Sequence, residues 1–119
     1  MNCKNILVVE DDRAIRQMFK DVLEVEGYNV VTAGDGSEGI EQLKALSDQP
    51  CVILLDLMMP GTNGWKFLDF QRADPAISGI PVIVCSAYNE SAKSVKPDAV
   101  LEKPVKLEAL LGAVQSFCA

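Results

Sequence analysis

The stretch Cys51-Val52-Ile53-Leu54-Leu55-Asp56 constrains this chain more than any other. Five apolar residues run unbroken into one carboxylate, and the chain turns soon afterwards at Pro60-Gly61. A continuous apolar run of this length reads as a strand buried on both faces of a sheet. A charge at its last position is costly unless that position opens onto water or a cation. Asp56 is therefore expected at the mouth of the sheet, at the carboxyl end of a central strand, where open α/β sheets place their ligand sites.

The remaining elements follow from periodicity. Asn5 to Val9 reads as a first buried strand, interrupted by Glu10-Asp11-Asp12. Ala14, Ile15, Met18, Phe19, Val22 and Leu23 repeat at helical spacing, with Gly27 as the stop. Tyr28 to Ala33 alternates and carries Asn29 and Thr32, the pattern of an edge strand. Asp35 can cap a second helix with apolar positions Ile40, Leu43 and Leu46. Asn63 can cap a third helix carrying Trp65, Phe67, Leu68 and Phe70, which ends near Asp74-Pro75. Ile80 to Cys85 is a fourth strand with Ser86 in its polar exit, and Glu90 to Val95 a short fourth helix. Ala99 to Glu102 is a short fifth strand, and Leu107, Leu110, Leu111, Val114 and Phe117 stripe a last helix. Trp65 and the phenylalanines are expected in the core.

Five strands alternating with five helices imply an α/β fold, a doubly wound parallel sheet with helices on both faces. The first, third and fourth strands are the most apolar and should be central, which the flavodoxin-like order 2-1-3-4-5 satisfies. Right-handed crossovers then put the first and last helices on one face and the others on the opposite face. The 119 residues suffice for one domain, read as spanning 1–119.

Composition narrows the function classes. A net charge of −6 disfavours direct nucleic-acid binding or an anionic membrane surface and favours cations or basic partners. The chain has no histidine, which excludes a His-containing zinc site. Cys3, Cys51, Cys85 and Cys118 show no CxxC spacing and read as core or surface fillers. With no signal peptide or membrane span in the sequence, the expectation is a cytoplasmic protein with reduced thiols.

The predicted topology gathers Glu10-Asp11-Asp12, Asp56, Ser86 and Lys103 at one rim, because each follows or ends a strand. Carboxylates converging in a crevice repel unless a cation or a proton intervenes. With oxygen ligands alone, the cation expected is Mg²⁺, ahead of Mn²⁺ or Ca²⁺, completed by a backbone carbonyl such as that of Met58. A carboxylate beside Mg²⁺ and an ammonium is also a candidate nucleophile toward a phosphoryl group. Asp12 reads instead as the cap of the first helix.

These residues resemble the response-regulator receiver domain of two-component signalling. The matching pieces are ILVVEDD at 6–12, VILLDLMMPGTNGW at 52–65, IPVIVCSA at 80–87 and LEKPV at 101–105. The resemblance implies that Asp56 is the phosphoacceptor, that Glu10 and Asp11 hold Mg²⁺ with Asp11 as the direct ligand, and that Met58 offers its carbonyl. It likewise implies that Ser86 is the switch hydroxyl, that Lys103 reaches the phosphoryl group, and that Lys103-Pro104 is a cis peptide. The implied partners are a histidine kinase or histidine phosphotransfer protein upstream and an effector protein or fused output domain downstream. The chain would catalyse only its own phosphorylation and dephosphorylation.

Three positions depart from the family pattern. Val100 stands three residues before the lysine, where the family carries an aromatic switch residue, and a valine has no hydroxyl-tipped ring to swing. The segment between Ser86 and Lys103 is short, so the fourth helix should be stunted and the output face reshaped. Glu10 replaces an aspartate, lengthening that arm by one methylene. Among other classes, a flavin carrier on this topology needs a Ser/Thr/Gly phosphate cradle after the first strand, where this chain has three acids. A phosphohydrolase with an aspartyl nucleophile usually has a second acid two residues on, where this chain has Met58. The alternative kept is a phosphorylation-independent interaction module on the receiver fold.

Overall fold

The computed structural model describes residues 3–57, 64–86 and 96–118. Met58, the expected cap Asn63 and the expected helix at Glu90 to Val95 lie outside the described residues. The elements are β1 (Asn5–Val9), α1 (Arg13–Val25), β2 (Asn29–Ala33), α2 (Gly36–Ala45), β3 (Val52–Asp56), α3 (Gly64–Ala73), β4 (Val82–Ser86), β5 (Ala99–Glu102) and α4 (Leu107–Phe117). The described residues thus contain four of the five helices expected from the sequence.

The five strands form one parallel sheet in the order β2-β1-β3-β4-β5. β3 and β4 are buried at every position, as their unbroken apolar runs require. Alternate side chains of each strand feed two separate cores. Leu7, Val9, Ile53, Leu55, Val82 and Val84 pack with α2 and α3 through Ile40, Leu43, Phe67 and Leu68. Ile6, Val8, Val52, Leu54, Ile83 and Cys85 pack with α1 and α4 through Phe19, Leu23, Leu110 and Val114. The helices therefore divide between the faces as right-handed crossovers dictate.

Local signals set the helix ends. The Asp12 carboxylate accepts from the Ile15 N–H at 3.0 Å, and the Asp35 carboxylate accepts from the Glu38 N–H at 2.8 Å. Gly27 adopts φ +93° just past α1, a conformation that favours glycine, and its N–H donates to the Glu24 carbonyl at 3.0 Å. Gln71, buried in α3, donates to the carbonyls of Ile77 and Ile80 at 2.7 and 3.2 Å. Those bonds tie the end of α3 to the entry of β4, at the edge of the sheet opposite Asp56.

Two expectations are corrected. Phe70 is not core: it stands 61 % exposed on α3, while Phe67 and Leu68 of the same helix are buried. Three aromatics within six residues cannot all lie on one helical stripe, and position 70 falls outside it. The four cysteines are not all free and reduced either. Cys3 and Cys51 form a disulfide across a sequence separation of 48, and Cys85 and Cys118 are free and buried. The cause is strand pairing. The Cys51 N–H donates to the Asn5 carbonyl at 2.8 Å, which brings the approach to β3 alongside the start of β1 and sets the two Cα atoms 5.8 Å apart.

That bond closes a loop containing β1, α1, β2 and α2. Restricting a loop of this size in the unfolded chain is worth about 2–4 kcal/mol. Thermal unfolding with and without reductant should therefore differ by roughly 10 °C. The difference should vanish in Cys3→Ser, and equal melting temperatures for the wild type in both conditions would show that the bridge contributes nothing.

Candidate functional site

Strand register builds the site. Val9 lies beside Leu55 and Ala33, Asp56 beside Cys85, and Ser86 beside Glu102. Glu10 and Asp56 are consequently the next neighbours on β1 and β3, and Lys103 follows the last residue of β5. The Lys103 N–H donates to the Ser86 carbonyl at 3.0 Å, extending the β4–β5 ladder to the rim. The Lys103-Pro104 peptide is cis.

At that rim Glu10, Asp56 and Ser86 are all buried, at 2 %, 3 % and 1 % exposure. Asp11 is exposed. One carboxylate oxygen from each of Glu10, Asp11 and Asp56 lies within 4.8 Å of the others. The Lys103 ammonium sits 3.2 Å from Asp56 Oδ2 and 3.5 Å from Glu10 Oε1. Both Glu10 carboxylate oxygens are buried without a hydrogen-bond partner. A buried carboxylate with one ammonium at 3.5 Å and no hydrogen bond is costly, and a hard divalent cation among oxygen ligands would relieve that cost. The residues present fit Mg²⁺ on this ground.

The electrostatics agree. Burial, and after it the neighbouring Asp56, pushes the Glu10 carboxyl up to about 8. Partial desolvation and then Asp56 raise Asp11. For Lys103, burial acts to lower the ammonium's pKa, but the Glu10 and Asp56 carboxylates outweigh it and the net shift is upward. Burial pushes the nearby Cys85 thiol up to about 12, so it stays protonated and is no nucleophile.

The structure therefore brings together Glu10, Asp11, Asp56 and Lys103, with Ser86 on the adjoining strand end. Met58 lies outside the described residues. Val100, half-buried, packs against the core on the α2–α3 side. Asp12 caps α1 and is not part of the oxygen cluster. Two residues that sequence reading did not single out also shape the site. A Cβ at Gly64 would fall 2.8 Å from the Asp56 carbonyl oxygen and 2.6 Å from the Leu57 Cα, so only glycine lets α3 start this close to the end of β3. Arg16 donates from Nη1 to the Glu10 carbonyl at 2.9 Å. The second of two glycines after Asp56, Gly61 and Gly64, is the sole sequence signal for the first, and nothing in spacing points to the second.

Comparison with known proteins places this geometry among others. Residues 6–115 match the family described as response regulator receiver domain. The DNA-binding response regulator MtrA of Mycolicibacterium smegmatis is 34% identical over 118 residues, which cover 95% of this chain and 50% of that protein. The DNA-binding dual master transcriptional regulator RpaA of Synechocystis is 34% identical over 117 residues, covering 94% of this chain and 48% of that protein. The chain thus spans about half the length of these relatives. Among solved structures, the chemotaxis protein CheY4 of Vibrio cholerae superposes with a TM-score of 0.86 at 28% identity, covering 97% of this chain and 98% of that one. The receiver domain of the Francisella response regulator 1452 gives a TM-score of 0.84 at 28% identity, with 96% and 95% covered.

The raised Glu10 carboxyl has a measurable consequence. With the folded value near 8 and the ordinary value 4.5, the native state holds a proton that the unfolded chain has released. The stability this confers is fully present below pH 4.5 and is lost as pH rises through 8. Without divalent cations, the melting temperature should fall across that window. Calorimetric titration with Mg²⁺ at pH 7, in buffers of different ionisation heat, should show release of up to about one proton per ion. Glu10→Gln should flatten both effects; a pH-independent melting temperature in the wild type would mean that Glu10 is ionised throughout.

Proposed function

Since this chain belongs to the response-regulator receiver family, we propose that it works as a phosphoryl-accepting switch in which Asp56 is the acceptor. The observation that carries this reading is the Lys103 ammonium 3.2 Å from a buried Asp56 whose carboxylate shares a 4.8 Å oxygen cluster with Glu10 and Asp11. Such a domain is a signalling element, not a turnover enzyme on an external substrate.

The residues divide the work as follows. Glu10, Asp11 and Asp56, with the backbone carbonyl of Met58, would hold Mg²⁺. Bound there, the ion would neutralise phosphoryl oxygens, the usual role of a divalent cation in this chemistry. An Asp56 carboxylate oxygen attacks the phosphorus of a phosphohistidine on a kinase or phosphotransfer protein. The O–P bond forms as the P–N bond breaks, the electron pair goes to the imidazole nitrogen, and that nitrogen takes a proton from solvent. Lys103 moves from partnering two carboxylates to partnering the new phosphoryl group. The Ser86 hydroxyl, one residue past the register partner of Asp56, donates a hydrogen bond to a phosphoryl oxygen. The added charge then biases a two-state equilibrium that a partner reads.

We read residues 1–119 as one receiver domain working in the cytoplasm, where reducing conditions would open the Cys3–Cys51 bridge. Among the described residues no helix is long and apolar enough to cross a membrane. The downstream partner is an effector protein or a fused output domain. The charge of −6 argues against DNA contact by this domain's own surface. Relatives named as DNA-binding are about twice as long, so their DNA contact can belong to the portion that this chain does not match. The phosphorylation-independent module is the weaker reading, because this chain keeps the acidic cluster, Asp56, Ser86 and Lys103 together.

Incubation with Mg²⁺ and acetyl phosphate, followed by intact-mass measurement, tests the acceptor. A phosphate-sized mass increase is expected in the wild type and none in Asp56→Asn. Lys103→Ala should fold normally and acquire the label more slowly, by roughly tenfold or more. Absence of any label in a wild type that binds Mg²⁺ would leave the interaction-only module, and a wild-type rate in Lys103→Ala would remove that lysine from the chemistry.

A further inference from the structure

The geometry assigns to Arg16 the role of a positioning residue for the Glu10–Asp11 corner, setting how tightly the acidic cluster binds a divalent cation. The inference rests on the metal-holding reading of the same site. Glu10 lies one residue beyond β1, where the ladder ends. Its N–H still donates to the Ala33 carbonyl at 3.0 Å, so β2 holds one side of the residue. Its own carbonyl accepts from Arg16 Nη1 at 2.9 Å, in a half-buried setting. Both main-chain polar groups of Glu10 are thereby fixed, and by two different elements.

Arg16 is itself well anchored. It lies in the first turns of α1, its N–H donates to the Asp12 carbonyl at 2.9 Å, and the Asp12 side chain caps that helix. Its guanidinium lies over Gly34: a Cβ there would meet Arg16 Nη1 at 3.3 Å and Glu38 Oε2 at 3.5 Å. The Glu38 carboxylate in turn accepts from the Gly34 N–H at 3.0 Å. The β1–α1 and β2–α2 loops thus close on one another through the absence of a side chain at position 34 and the planar fork at position 16.

This anchoring matters because of what Glu10 lacks. Ligating carboxylates are usually oriented by hydrogen bonds from outer groups. Both Glu10 carboxylate oxygens are buried with no hydrogen-bond partner. The direction of the side chain is then set by packing, by the Lys103 ammonium 3.5 Å from Oε1 and by the backbone that carries it, and Arg16 fixes that backbone. Removing the guanidinium would leave a half-buried carbonyl without its donor and free the corner to rotate.

The test is calorimetric titration of the full chain with Mg²⁺ alone, beside thermal unfolding. Arg16→Met should raise the Mg²⁺ Kd about tenfold, the lower end of what outer-partner losses produce. Gln71→Met serves as a stability control, since Gln71 bonds two carbonyls at the far edge of the sheet. It should lower the melting temperature and leave the Kd unchanged. A folded Arg16→Met with the wild-type Kd would overturn the inference, as would a Gln71→Met whose Kd rises by the same factor. If Arg16→Met does not fold, Arg16→Lys decides: a Kd raised by about threefold is expected, because one ammonium replaces a planar fork, and an unchanged Kd overturns the inference. A wild type that binds no Mg²⁺, by contrast, would overturn the reading of the site itself.

Discussion

Two buried carboxylates facing one ammonium are the constraint around which this molecule is arranged. At an effective dielectric of about 20, Lys103 attracts Asp56 and Glu10 by about 5 kcal/mol each at 3.2 and 3.5 Å. The carboxylates repel one another by about 3 kcal/mol at the 4.8 Å limit of their cluster. Against the remaining attraction stands the desolvation of three charged groups, several kcal/mol for each one fully buried. Lys103 is a quarter exposed, so attraction and cost are of the same order, and no hydrogen bond reaches the Glu10 carboxylate to tip the balance. A proton on Glu10 removes the problem below about pH 8, and a divalent cation that displaced that proton would remove it as well. The site is held ready for a ligand by the rest of the fold, and is not itself a source of stability.

The rest of the fold can hold it because the sheet is fully determined elsewhere. β1, β3 and β4 send alternate residues into two cores, one under α2 and α3 and one under α1 and α4. A register slip of one residue would exchange those cores wholesale, so the pairing is strongly specified. Once Val9 is fixed beside Leu55, Glu10 and Asp56 must adjoin, whatever their charges. The same parallel register that gathers the acids at one rim gathers the disulfide at the other: Cys51 enters β3 where Cys3 leads into β1.

This division explains what could be read from the sequence. Strand order and helix faces were legible because apolar runs at 6–9, 52–55 and 82–85 and the stripes of α1 and α4 report burial directly. The acidic rim was legible because charges interrupt or end those runs, and helix caps because Asp12 and Asp35 stand where a cap must. The Cys3–Cys51 bridge was not, since its residues are 48 apart and meet only through β1–β3 pairing. Arg16 was hidden for a similar reason. An arginine in an amphipathic helix reads as a solvated charge, and only the fold shows its guanidinium turned back to the carbonyl of Glu10. Phe70 misled in the opposite sense, because hydrophobicity alone does not give a residue's angle around the helix.

Val100 bears on how charge at Asp56 can be felt elsewhere. A valine side chain is restricted at χ1 and carries no polar tip. Half-buried against the α2–α3 core, it cannot exchange between an exposed and a buried state as a tyrosine can. The Lys103 ammonium and the bond from the Lys103 N–H to the Ser86 carbonyl connect Asp56 to the β4–β5 edge. Coupling between sites in proteins typically amounts to about 1–3 kcal/mol. One ammonium–carboxylate contact at 3.2 Å exceeds that at an effective dielectric of about 20. The Coulomb term that Lys103 would shift from Glu10 and Asp56 to a phosphoryl group is therefore no smaller than a typical coupling energy. With no ring at position 100, the Lys103 contacts to Asp56 and to the Ser86 carbonyl make a short connection between the acidic rim and the β4–β5 exit.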